Sequence, residues 1–286
     1  MGAGTGGVEG RAVSADLTVT FHGDMVGLRV TPGADCAGRI EVADIGVPSA
    51  VTLAPAAWLS HADAARSVPR KGAGADKYAS GAVLVVAGSP GLTRAACLAA
   101  RATLRAGAGL TVLATPAGVQ PIVAAHLLEV MCAPVADDDG CFSAGSVDGI
   151  LAQAGRASAV AIGPGIGRAP GTTDAVLALL DRLERPVVLD ADGLWHLGDA
   201  PERLVGRTHP TVLTPHSGEA ARLLGRERPA VEADRLGDLG GEAGEIGGAR
   251  GALLLRVPHL AQRAGVGHPR VARGEGGLAV QDRPAG

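Results

Sequence analysis

The sequence predicts an α/β protein organised on a mostly parallel sheet with helices on both faces. Three apolar runs, at 159–162, 186–189 and 211–213, carry that expectation. Each ends in a cluster of small or polar residues, and a helix-like segment follows each, at 173–183, 194–197 and 219–224. Short, uninterrupted apolar runs suit strands buried on both faces, the condition of a parallel sheet between two layers of helices. In such sheets ligands gather at the carboxyl ends of the strands. The clusters fall there: Gly163-Pro164-Gly165-Ile166-Gly167, Asp190-Ala191-Asp192-Gly193 and Thr214-Pro215-His216-Ser217-Gly218-Glu219.

Taken in order, the first nine residues are glycine-rich. They match G-x-G-x-x-G only formally, because no strand precedes them. Residues 15–21 alternate, with Leu17, Val19 and Phe21 against Thr18 and Thr20, and read as a strand. Segments 26–30 and 39–42 read as two more strands, separated by a turn at Pro32-Gly33, and Pro48 closes the piece. It is too short to be a stable domain by itself. A linker follows over 49–76, with a helix expected at 55–65. The run 82–87 is a buried strand ending in Gly88-Ser89-Pro90-Gly91, and a helix over 93–106 stops at Gly107. Strands at 110–114 and 130–134 flank a helix at 119–128, and Asp137-Asp138-Asp139-Gly140 reads as a solvated turn. Past Arg235 the chain turns to Gly, Glu, Ala, Arg and Pro. One strand is expected at 252–255, and disorder is expected through the tail.

Composition narrows the function classes. Hydrophobic residues make up 47% and aromatic residues 2%, so the core must be built from Ala, Val and Leu. A formal net charge of −3 lacks the clustered basic face that nucleic-acid binding needs. The longest tempting apolar stretch, 95–114, is interrupted by Arg101 and Arg105, which argues against a membrane span. Cys36, Cys97, Cys132 and Cys141 have neither CxxC spacing nor histidines at metal-ligand spacing, which predicts ordinary thiols in a cytoplasmic protein.

Each strand-end cluster suggests its own chemistry. The 88–91 turn can bring backbone N–H groups at Gly88 and Ser89 close to a phosphate, beside a helix N-terminus; as a tight βα turn it needs no ligand. Three glycines in the 163–167 turn allow close backbone approach to a ligand, or a strained connection without one. Asp190 and Asp192 are two apart, so a continuing strand would point both carboxylates the same way, toward Mg²⁺ or a hydroxyl. Alternatively Asp192 caps the next helix. In the last cluster Ser217 is the predicted N-cap, and His216 stands where an imidazole can hydrogen-bond a substrate hydroxyl or amide.

Five segments then carry a family resemblance. Lys77 with the 81–89 strand and turn, the Leu-Arg-Ala-Gly-Ala-Gly-Leu run at 104–110, the GPGIG turn, Asp-Ala-Asp-Gly-Leu at 190–194 and Thr-Pro-His-Ser-Gly-Glu at 214–219 resemble the ADP/ATP-dependent NAD(P)H-hydrate dehydratases. The resemblance covers residues 77–235 and implies a ribokinase-like fold, incomplete at the C-terminus. The front, 1–48, is similar to the last strands of an NAD(P)H-hydrate epimerase domain, which precedes the dehydratase in bifunctional members. Members of the family repair NADH or NADPH whose ring has taken up water. ADP or ATP, with Mg²⁺, converts the ring hydroxyl into a phosphate leaving group, and elimination restores the dihydropyridine.

The resemblance implies substrate contacts at Ala95, Gly165, Gly167, Asp190, Asp192 and His216. Two departures accompany them: Arg94 stands where the family has Gly, and Trp195 where Asn is frequent. The family's Lys-Gly-x-x-Thr and Gly-Ser/Thr-Gly-Asp segments, the second bearing the expected catalytic base, are absent after Arg235, where no lysine occurs. A reading-frame shift just past residue 236 is the expected cause. No catalytic residue and no metal ligand is therefore assigned. A small-molecule kinase of the same fold and a binding-only fragment are the competing expectations, and a homo-oligomer through the aliphatic segment 95–104 is the expected assembly.

Overall fold

The predicted alternation of strand and helix is realised between Ala82 and Leu213 in the computed structural model, which describes residues 2, 4–48, 71–72, 74, 76–77, 79–198, 201–204 and 207–233. The expected helix at 55–65, the strand at 252–255 and the tail beyond Arg235 lie outside the described residues.

The N-terminal piece holds β1 (Leu17–Phe21), α1 (Gly33–Ala37) and β2 (Arg39–Ala43). The two strands pair in parallel, Leu17 opposite Arg39 and Phe21 opposite Ala43. This corrects the strand expected at 26–30; of the turn expected around Pro32-Gly33, Pro32 lies in a turn and Gly33 opens α1. A parallel pair needs a crossover, and the chain spends those residues on a 3₁₀ turn (Val26–Leu28) and α1. The Thr18 hydroxyl ties the crossover down by donating to the Ala37 carbonyl at 2.6 Å. The apolar face of β1 stays open, with Leu17 42%, Val19 48% and Phe21 65% exposed.

The main sheet has six strands: β3 (Ala82–Val86), β4 (Leu110–Pro116), β5 (Met131–Val135), β6 (Ala159–Ile162), β7 (Val187–Leu189) and β8 (Thr211–Leu213). All pairings are parallel, in the order β5-β4-β3-β6-β7-β8. The chain starts in the middle, winds outward to β5, returns to the middle at β6 and winds outward the other way. Right-handed crossovers then put the first helices on one face and the later ones on the other.

The buried side chains follow that division. On one face Val85, Ala87 and Leu113 pack against Ala96 and Ala100 of α2 (Thr93–Arg105) and Val123 of α3 (Gln120–His126). On the other, Leu84, Val86, Val160, Ile162 and Leu189 meet Ile150 of α4 (Val147–Ala154), Leu179 of α5 (Pro170–Arg182) and Leu194 of α6 (Asp192–Leu197). Helix α5 begins before the expected residue 173 because Pro170 supplies a preset first turn. Helix α4 has no counterpart among the predicted elements. The chain then passes through α7 (Ser217–Leu223) and α8 (Arg228–Ala233).

The turn at 137–140 leaves Asp138 and Asp139 exposed, as expected, while Asp137 and Gly140 are anchored to the protein. The Asp137 carboxylate accepts from the Gly118 and Gly140 amides at 2.7 and 2.9 Å, and Gly140 packs against Pro90 of the 88–91 turn.

Candidate functional site

Strand order places the site before any side chain is considered. The winding reverses between β3 and β6, and a crevice opens beyond the carboxyl ends of strands where connections diverge. The turns after these two strands are 88–91 and 163–167, two of the predicted clusters. They hold each other directly: the Gly88 amide donates to the Pro164 carbonyl at 3.2 Å and the Ser89 hydroxyl to the Gly165 carbonyl at 3.0 Å.

The glycines of the second turn answer to the protein. All three have positive φ: 131° at Gly163, 64° at Gly165 and 75° at Gly167. A Cβ on Gly163 would strike the Asp190 carbonyl. One on Gly165 would lie 2.7 Å from the Leu92 carbonyl and 2.9 Å from the Ala95 Cβ, and one on Gly167 would lie 2.9 Å from Ser89 Oγ. Glycine is therefore demanded here by neighbouring backbone and side chains, the reading set beside ligand approach at the sequence level. Ala95, Gly165, Gly88, Ser89 and Gly167 are thereby brought into one cluster.

Within that cluster the amides divide. Gly163 N–H donates to Val86, Ile166 N–H to Gly163, and Gly167 N–H to Asp192 Oδ2 at 3.3 Å. The Ser89 and Gly165 N–H groups, both in buried residues, have no hydrogen-bond partner among the described residues. Buried backbone donors are rarely left unpaired. Ser89 and Gly165 stand one on each side of the switch point, after β3 and β6.

Asp190 and Asp192 diverge, which corrects the expectation that both point the same way. Strand β7 ends at Leu189, and Ala191 takes φ 50° as the chain turns into α6. Asp190 Oδ1 accepts from the Thr214 hydroxyl at 2.6 Å, toward β8. Asp192 turns the other way, accepting from the Gly167 amide and from Arg168 Nε at 3.0 Å. It does not cap α6, whose N-cap is Ala191. Among the described residues no group of three His, Cys, Asp or Glu side chains could hold a metal ion.

His216 lies on the same rim, at the end of β8, two strand positions or roughly 10 Å from β6. It, rather than Ser217, caps the following helix: Nδ1 accepts from the Gly218 and Glu219 amides at 3.0 and 3.3 Å. While Nδ1 accepts both, the ring proton sits on Nε2, 3.4 Å from Glu219 Oε1, on a side chain 73% exposed. The Ser217 hydroxyl donates instead to Glu232 at 2.8 Å.

Sequence reasoning missed the residues behind the 163–167 turn. His196 is 3% exposed; its Nε2 lies 2.8 Å from the Gly167 carbonyl and its Nδ1 2.8 Å from the Thr173 hydroxyl. Burial pushes its pKa below the ordinary 6.5, aided by Arg168 and Arg222; the Gly167 hydrogen bond and the Asp192 charge pull the other way. Trp195 meets His196 edge-on and lies between Arg168 and Arg222, 5.2 and 5.0 Å from its ring centre. The available signal was a histidine inside the apolar Gly-Leu-Trp-His-Leu helix, four residues past Asp192. Cys97, Cys132 and Cys141 are free thiols whose pKa values burial raises, so they stay protonated.

Comparison with known proteins bears on this geometry. A family model described as NAD(P)H-hydrate dehydratase matches residues 83–237. A bifunctional NAD(P)H-hydrate repair enzyme of Moorella thermoacetica is 43% identical over 243 residues, 82% of this chain and 45% of that protein. Its counterpart in Salinibacter ruber is 40% identical over 232 residues, 78% of this chain and 43% of that one. The chain thus spans less than half the length of either relative. Among solved structures, the ADP/ATP-dependent NAD(P)H-hydrate dehydratase of Bacillus subtilis, co-crystallised with ATP and Mg²⁺, is 30% identical with a TM-score of 0.45, covering 58% of this chain and 55% of that one. A ribokinase-like superfamily protein of Enterococcus faecalis is 18% identical, covering 59% and 58%, with a TM-score of 0.47.

Proposed function

Because the chain belongs to the NAD(P)H-hydrate dehydratase family, we propose that its switch-point crevice binds the S-epimer of hydrated NADH or NADPH for ADP- or ATP-dependent dehydration. The observation that carries this reading is the pair of unpartnered amides, Ser89 and Gly165, on two turns that hydrogen-bond to each other across the switch point. A dinucleotide offers them phosphate and carboxamide oxygens. Ala95 packs against Gly165, and His216 at the far rim, 73% exposed, would turn its Nε2–H from Glu219 to a substrate oxygen. In the reaction, the ring hydroxyl takes a phosphoryl group from the nucleotide. Phosphate then leaves with the electron pair of the broken C–O bond, while the neighbouring carbon gives up a proton to a base and its C–H pair becomes the new ring double bond.

The described carboxylates do not fit a protein cage for Mg²⁺, since Asp190 and Asp192 are engaged by Thr214, Gly167 and Arg168. No step is routed through the ion. We assign residues 1–48 to the end of an epimerase domain, 49–76 to a linker and 77–235 to the dehydratase domain. A cytoplasmic setting suits the four free thiols, and among the described residues no helix is long and apolar enough to cross a membrane.

A second reading has its own observation. The sequence holds no Gly-x-Gly-Asp segment and no lysine after Arg235, which favours a chain that binds the hydrate without turning it over. Incubation with hydrated NADH, ADP and Mg²⁺ separates the two. Recovery of dihydronicotinamide absorbance is the result expected of an enzyme. Flat absorbance with hydrate-dependent thermal stabilisation supports binding alone, and the absence of both overturns the proposal.

A further inference from the structure

We propose that His196 is a positioning residue for the 163–167 turn, acting through the Gly167 carbonyl to hold the Gly165 N–H toward the crevice. The inference rests on the proposed binding role of that crevice and adds a residue that touches no ligand itself.

The hydrogen-bond polarity is settled by chemistry. A carbonyl only accepts, so the contact from His196 Nε2 to Gly167 O requires the proton on Nε2. In a neutral ring Nδ1 then carries no proton, and the Thr173 hydroxyl must donate to it. A single relay runs from α5 through the imidazole to the turn: Thr173 O–H to Nδ1, then Nε2–H to Gly167 C=O. On the opposite side of the same residue Asp192 accepts the Gly167 N–H. Both polar groups of Gly167 are therefore held by side chains of α6.

The restraint matters because of where it acts. Gly167 lies two residues past Gly165, and both take positive φ, which glycine reaches freely and leaves as freely. Without an external hold the turn would sample other conformations. Some of these would point the Gly165 amide away from its position beside Ser89. The Ser89 hydroxyl fixes the Gly165 carbonyl, and His196 fixes the exit of the turn. Burying a neutral imidazole between two partners is a way to set a donor rigidly, since its ring has few rotamers and both nitrogens are satisfied.

The test uses three variants of the full chain. Gln carries an amide that reaches the Nε2 position, Asn one that reaches only the Nδ1 position, and Phe keeps the ring without either bond. Hydrogen exchange of the 163–168 amides is measured alongside the dissociation constant for hydrated NADH. His196→Phe and His196→Asn are expected to raise exchange in this turn about tenfold and to weaken binding about tenfold, with exchange in β4 unchanged. His196→Gln is expected to stay within about twofold of wild type in both. If packing alone matters, Phe will behave as wild type and Gln as the defective variant, and the positioning role is overturned. Unchanged exchange in all three overturns it equally. A wild-type chain that fails to bind hydrated NADH sinks the proposed function, while the exchange pattern still decides the role of His196.

Discussion

Gly165 shows how a residue without a side chain can be constrained from several directions. Its φ of 64° lies in the left-handed region, and an added methyl would sit 2.7 Å from a backbone carbonyl that cannot swing away. Gly165→Ala should therefore lower stability by roughly 2–4 kcal/mol, read as a fall in the urea midpoint, and should weaken ligand binding even where the chain remains folded. His196 gives a pH signature at the same scale. Its folded-state pKa is depressed below the ordinary 6.5, so below that value the unfolded chain takes up a proton that the folded chain excludes. Stability from this group is complete above the ordinary value and declines as pH falls through it. Asp192 faces the ring and moderates the effect, while Arg168 and Arg222 strengthen it. Urea midpoints at pH 7.5 and 5.5 should differ, and His196→Gln should shrink that difference; an equal difference in both chains would contradict the assignment.

At the scale of elements, α5 and β8 are joined by one cation. Arg207 is 7% exposed and donates from Nε to Thr211 Oγ1 at 2.9 Å, from one terminal nitrogen to the Leu180 carbonyl and from the other to the Arg185 carbonyl at 3.0 Å. It collects carbonyls at the end of α5 where the helix dipole favours a cation and ties them to the first residue of β8. Burial lowers its pKa, an effect that Asp181 opposes. Arg207→Ala leaves three acceptors without a donor and should cost about 3 kcal/mol. Arg207→Lys should recover less than half of that, because an ammonium cannot spread its donors over a planar fork. Thermal unfolding of the two variants checks both statements.

Across the whole molecule, the parts legible in the sequence were those governed by local pattern. The apolar runs at 82–87, 110–114, 159–162 and 211–213 became strands because they are too short for helices and are buried on both faces. The glycine turns were legible because few other residues tolerate their geometry. Strand order was not legible, since no local rule says that β6 returns to lie beside β3. Side-chain direction after a strand end was not legible either: a single positive φ at Ala191 separated Asp190 from Asp192. The segment at 26–30 had a strand's composition and became part of a crossover because its neighbours pair in parallel. His196 was hidden because its partners, Gly167 and Thr173, are distant in sequence.

The strand order also divides the sheet into two blocks, each continuous in sequence: β3 to β5 over residues 82–135 and β6 to β8 over 159–213. Along the sheet they meet at one seam, the β3–β6 pairing, which runs from Val83–Ala159 to Val86–Ile162. A molecule bound by both Ser89 and Gly165 would straddle that seam and act as a staple, drawing on each block for one of its anchors. Occupancy and the cohesion of the two blocks would then be a single linked equilibrium.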